Sequence, residues 1–160
     1  MKVLKFIDEQ FEKWFLIVSL IVMVLVTFMQ IVLRWFNAAT VWAEEFSRYV
    51  MLYQVWVGAS YAVHEDAHIR ITALIGKLSG GRRRGMDLAV LTLWMLFALW
   101  LTVEGCVLVG KIAAMGQVSS AMRIPMTIPY ASVPIGGALM TIRLVQKIAE
   151  RLRNTQDEEA

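Results

Sequence analysis

The stretch His64-Glu65-Asp66-Ala67-His68 sets two imidazoles one helical turn apart with a glutamate between them. That is the H-E-x-x-H spacing in which the histidines hold zinc and the glutamate acts as base in metallopeptidases. A catalytic zinc also needs a third protein ligand and an open position for water. The chain has only these two histidines, so the third ligand would have to be an acid. Asp87 is the one carboxylate near a span on the same side, and it sits beside Arg82-Arg83-Arg84. The incomplete ligand set favours a plainer reading, in which these residues form the polar end of a helix. No catalytic residue, metal or cofactor is expected.

Two other clusters carry charge where chemistry or docking could use it. Trp42-Ala43-Glu44-Glu45-Phe46-Ser47-Arg48-Tyr49 places two carboxylates and a guanidinium at the mouth of a run that is free of charge from Tyr49 to Val63. Arg48 follows Glu44 by four residues and Glu45 by three, so a helix brings all three to one face. The cluster reads either as a self-satisfied anchor at a membrane boundary or as a docking point for another protein. Glu104 is the acidic residue well inside an apolar stretch. A carboxylate at the bilayer centre costs about 3 kcal/mol, which the surrounding Leu, Val and Phe residues offset at about 0.3–0.6 kcal/mol each. It could bind a proton or cation, pair with Lys111, or meet a partner. Its place toward the outer end favours pairing, within the chain or across an interface.

The elements that must position these residues follow from composition. With 58% hydrophobic residues and six Trp in 160, the chain is too apolar for an ordinary soluble domain. A bilayer crossing needs about 20 apolar residues, and four stretches qualify: Trp14 to Leu33, Phe46 to Val63, Leu88 to Gly110 and Ile124 to Ile142. The expected fold is therefore an all-α membrane protein with four transmembrane helices, at about 14–36, 44–64, 86–110 and 124–146. One domain would cover 1–153, and 154–160 would form a disordered tail. The first stretch is too long for a signal-peptide core and lacks a small-residue cleavage site, so it reads as an uncleaved anchor. Twelve of the sixteen Lys and Arg residues fall on one side of this arrangement, which places both termini in the cytoplasm. The same bias accounts for the basic charge without nucleic acid. Cys106 is the only cysteine and excludes an internal disulfide.

Shorter patterns fill in the connections. Leu4, Ile7, Phe11, Trp14 and Val18 form an amphipathic stripe running into the first span. Thr27 and Gln30 are polar exceptions within it that should face protein. Ile71, Leu74, Ile75 and Leu78 suggest a short helix lying in the inner interface. Gly58 and Ala62, and later Gly136 and Gly137, are spaced for close helix approach. Pro125 suits the first turn of the last span, whereas Pro129 and Pro134 should bend its outer half.

Taken together, several of these motifs resemble the small membrane subunit of tripartite ATP-independent periplasmic (TRAP) transporters, the DctQ-like family. The resemblance rests on Glu44-Glu45-x-x-Arg48-Tyr49 entering span two, on Gly58-Ala59 followed by the stretch at His68, and on Gly116-Gln117-x-Ser119 leading to Ile124-Pro125-x-x-Ile128-Pro129-Tyr130. It implies a non-enzymatic chain of the bacterial inner membrane, surrounded by lipid. Its partners would be a large multi-span subunit and a periplasmic binding protein, in sodium-coupled uptake of an organic acid. Trp42, Glu44, Glu45, Arg48, Glu104, Gly116, Gln117, Ser119 and Arg123 are then candidate partner contacts. Two readings from other classes stand beside it: a zinc peptidase built on His64 and His68, and a self-sufficient proton-coupled exporter built on Glu104.

Overall fold

The structure is a computed structural model that describes residues 2–38, 40–64 and 81–159, with side chains from residue 10 onward except 39, 64–84, 87, 150 and 152–160. It holds α1 (Lys2–Trp35), α2 (Val41–His64), α3 (Gly81–Met115), the short α4 (Thr127–Tyr130) and α5 (Ser132–Glu159). The H-E-x-x-H stretch beyond His64, the interfacial helix expected at Ile71 to Leu78 and the Asp87 side chain lie outside what is described.

Among the described residues, α1, α3 and the consecutive α4 and α5 supply segments long and apolar enough to cross a membrane: Gln10–Trp35, Leu88–Met115 and Thr127–Ala149. A fourth span was expected at 44–64, where α2 lies. Glu44, Glu45, Arg48, Gln54 and three tyrosines dilute that helix, so length and apolarity alone identify three spans among the described residues. The last helix stays helical to Glu159, past the expected span end at 146 and through the expected tail. Extending a helix that packing has already nucleated costs little per residue.

The long helices stand in single file, in the order α1, α2, α5, α3. α5 is central, and its glycines let it sit close to both neighbours. A Cβ on Gly136 would overlap that of Trp56 on α2, and one on Gly137 would lie 2.6 Å from the Thr102 hydroxyl on α3. The core forms where these helices meet, around Val63, Ala98, Met140 and Leu144. Gly58, expected in the same role, faces Leu16 at an ordinary 3.7 Å. Close approach depends there on less than the sequence implies. Gly105, whose Cβ would meet the Pro134 ring at 3.0 Å, packs more tightly than any spacing rule suggested.

Helix ends are set by local chemistry. α1 stops in a Schellman turn: Ala38 N–H donates to Leu33 O (3.0 Å) and Asn37 N–H to Arg34 O (3.2 Å), with Asn37 at φ 57°. Asparagine tolerates that left-handed conformation. α3 ends at Met115, five residues beyond the expected limit at 110, and Gly116 follows at φ 61°. Pro125 starts no helix. It lies opposite Val118 in an antiparallel bridge, an extended setting that tolerates its missing N–H. The bend attributed to Pro129 and Pro134 takes the form of a break at Ala131 between α4 and α5, where the Ser132 hydroxyl donates to Pro129 O at 2.7 Å. Thr27 faces outward and donates to Met23 O at 2.8 Å, so its own helix satisfies it and no protein contact is needed.

Candidate functional site

Residues 117–126 fold into a tight hairpin at the end of the bundle where α1 turns into α2. Ser119 N–H donates to Ile124 O (2.8 Å) and Met126 N–H to Gln117 O (2.9 Å). Arg123 closes the four-residue turn at φ 53°. That geometry turns the N–H groups of Ala121 and Met122 toward α2. Both donate to one oxygen of Glu45, at 3.0 and 2.8 Å. The other Glu45 oxygen accepts from the Tyr49 hydroxyl at 2.5 Å. Adjacent N–H groups converging on an anion form a nest, and here the anion belongs to the chain itself.

Glu45 lies ahead of the charge-free run, and its carboxyl is held down to about 2 from the usual 4.5. The Tyr49 hydroxyl contributes most, partial burial pushes the other way, and the N–H groups of Met122 and Ala121 add to the lowering. The expected three-way cluster therefore divides. Arg48 pairs with Glu44 at 3.0 Å in the open, with side chains 67% and 71% exposed, while Glu45 turns inward to the hairpin. Trp42 stands at the rim with its ring edge-on to Phe46. Gln117 and Arg123 are exposed, and Ser119 is buried.

A second charged site at the opposite end was missed in the sequence. Glu12 Oε1 accepts from Arg143 Nε at 3.2 Å and from the Ser60 hydroxyl at 2.9 Å. Arg143 also donates to Gln146 at 3.1 Å. The Glu12 and Arg143 side chains are 2% and 6% exposed, so three helices, α1, α2 and α5, meet on a buried ion pair. Its only signal in the sequence is that Glu12 and Arg143 each lie just outside an apolar run, at the same end of the bundle as Ser60. Halfway along, Gln54 Nε2 donates to Ser19 Oγ at 3.1 Å and adds a further tie between α1 and α2.

Glu104 differs from both. It is exposed on α3 and makes no hydrogen bond or ion pair among the described residues, Lys111 included. Within Leu88–Met115, Glu104 has about 24 Å of helix on the Leu88 side and about 17 Å on the other, where Lys111 follows after about 10 Å. It therefore lies nearer the Met115 end of the segment, the end that leads into the hairpin.

A groove of about 700 Å³ opens between α1, α2 and the hairpin, lined by Trp14, Val18, Val22, Phe46, Val50 and Ile128 among others. Its hydroxyls are already committed: Ser19 donates to Leu16 O, Tyr49 to Glu45, and Tyr53 to Ile128 O at 2.6 Å. The groove offers no polar group to an organic acid. Among the described residues, no three His, Cys, Asp or Glu side chains come together as a metal site would require.

Comparison with known proteins bears on the same stretches. The sequence matches the family described as tripartite ATP-independent periplasmic transporters, DctQ component, over residues 23–154. It is 26% identical to the isethionate TRAP transporter permease protein DctMQ of Oleidesulfovibrio alaskensis, over 94% of this chain and 25% of that protein. It is 29% identical to the C4-dicarboxylate TRAP transporter small permease protein DctQ of Rhodobacter capsulatus, over 66% of this chain and 47% of that one. It is 25% identical to the sialic acid TRAP transporter small permease protein SiaQ of Vibrio cholerae, over 92% and 85%. The chain thus spans a quarter of the first relative's length and under half of the second's. The family match runs through the Glu45 nest, the hairpin, the Gly136-Gly137 contact and Arg143, and the chain belongs to the DctQ component family of TRAP transporters.

Proposed function

We propose that this chain is the small permease subunit of a TRAP-type transporter in the bacterial inner membrane, acting as a scaffold beside a large multi-span subunit during uptake of an organic acid driven by sodium. α2 crosses the membrane as a fourth span, both termini face the cytoplasm as the Lys and Arg bias requires, and the hairpin end faces the periplasm. There the exposed Glu44–Arg48 pair, Gln117 and Arg123 offer a charged surface to a periplasmic binding protein.

The observation that carries this reading is the commitment of polar groups within the bundle. Glu45 is tied to the hairpin, Glu12 to Arg143, Gln54 to Ser19, and the groove is apolar. A carrier needs a polar route and a site that changes partners, whereas a support benefits from fixed internal bonds. The relatives' names support the assignment, and the DctMQ protein carries its matching quarter within a longer permease chain. Neither a zinc peptidase nor a lone exporter draws support from these comparisons.

Proteoliposomes holding the large subunit, with its binding protein and a sodium gradient outside, provide the test. Uptake that requires this chain, together with no uptake by this chain alone, is the expected result. Transport by the isolated chain, abolished by Glu104→Gln, would replace this reading with the exporter.

A further inference from the structure

Resting on the subunit reading above, we propose that the exposed face of α3 is the seam against the large subunit, and that a lysine or arginine on a membrane helix of that partner meets Glu104. Leu93, Phe97, Trp100, Glu104, Val107 and Lys111 recur at alternating steps of four and three, the spacing of a helix–helix seam. All six are exposed, Leu93 by 67% and Trp100 by 58%. α3 carries a second seam on its other side. Leu91, Ala98, Gly105 and Ile112 recur every seven residues, and Ala98 and Ile112 are buried while Gly105 meets Pro134. With one seam filled by α5, the other is a row of large apolar side chains interrupted by the Glu104 carboxylate and ended by Lys111.

That carboxylate decides what covers the row. Lipid tails offer Glu104 no hydrogen bond, and its short side chain starts about 10 Å, two helical turns, from Lys111 at the end of the charge-free run, too far to reach the headgroups. A second copy of the chain inserted with the same orientation would meet this face through a two-fold axis, which brings residue 104 to residue 104 at one depth. Two carboxylates would then repel each other. Lys111 could not relieve them, because it lies about 10 Å higher along both helices. A different helix carrying a cation at the depth of Glu104 satisfies the charge, and the flanking Trp100 and Val107 exclude lipid from the pair.

The test places the photo-crosslinker p-benzoylphenylalanine at position 100 or 107, and at Leu25 on α1 for comparison, in the chain co-expressed with the large subunit of its transporter. Adducts from 100 and 107 should map to a large-subunit helix with a lysine or arginine within one turn of the linked residue. Glu104→Lys should lower the recovered complex by at least about tenfold, and reversing the mapped cation to glutamate should restore it. Recovery by that double reversal shows that Glu104→Lys still folds and inserts. Adducts from Leu25 only, adducts with a second copy, a mapped helix without a cation, or full recovery of the complex with Glu104→Lys would each overturn the proposal. The subunit reading survives those results and falls only if the unaltered chain binds no large subunit.

Discussion

Glu45 and Met122 stand 77 residues apart in sequence, yet the Met122 N–H donates to the Glu45 carboxylate at 2.8 Å. With Ala121 as second donor, one side chain at the start of α2 fixes the turn that follows α3. Glu45→Gln keeps the size but loses the charge that both N–H groups share. Amide hydrogen exchange at Ala121 and Met122 should quicken by about tenfold, while the helices stay protected.

The same contact has a defined pH dependence. A carboxyl held down to about 2 from 4.5 stabilises the folded hairpin fully above the ordinary value. That stabilisation is lost as pH falls from 4.5 toward 2. Protease nicking of residues 117–123 should separate wild type from Glu45→Gln by a constant ratio at neutral pH. The two rates should converge as the pH approaches 2.

Breaking the buried Glu12–Arg143 pair from either side leaves an uncompensated charge at a site where the two side chains are 2% and 6% exposed. Glu12→Ala or Arg143→Ala should each cost about 3 kcal/mol or more. Replacing Glu12 with Gln and Arg143 with Met together should cost less than either single change to Ala. Thermal unfolding in detergent, read by circular dichroism, checks the order.

Gly136→Ala and Gly137→Ala drive a methyl into Trp56 and Thr102, and should each cost about 1–3 kcal/mol by overpacking. Gly58→Ala meets only Leu16 at 3.7 Å and gains helix propensity. It should be neutral or stabilising by up to about 1 kcal/mol, measured in the same unfolding assay.

The exposed charges at the hairpin end should act on encounter and leave stability alone. Arg48→Glu and Arg123→Glu should lower uptake by about threefold to tenfold at low ionic strength, less at high salt, with the subunits still copurifying. Glu45 is unsuitable for this test, because reversing it would also undo the hairpin.

The apolar runs made the helical class and three membrane-length segments legible in the sequence, because burial in lipid imposes a length and a composition that any reader can count. Gly136 and Gly137 were legible for a related reason: small residues are informative where backbones touch. Pairings across the fold were not. Glu45 looked like a helical neighbour of Arg48 because i, i+3 spacing is visible, while its real donors are backbone N–H groups that no residue type announces. Glu12 and Arg143 each resembled an ordinary surface charge, and only the packing of α1, α2 and α5 brings them together. Pro125 misled because the residue that suits a first helical turn equally suits an extended bridge.

α1 stands at the end of the single file, with α2 as its backbone neighbour among the described residues. A helix fastened along one flank is the first to yield under a mechanical load. Drawn out by its N-terminus, the protein should release α1 as a separate step. Gln54–Ser19 would act as one fastening and Glu12–Arg143 as a shear pin. α2, α5 and α3 would remain interlocked through the two glycines.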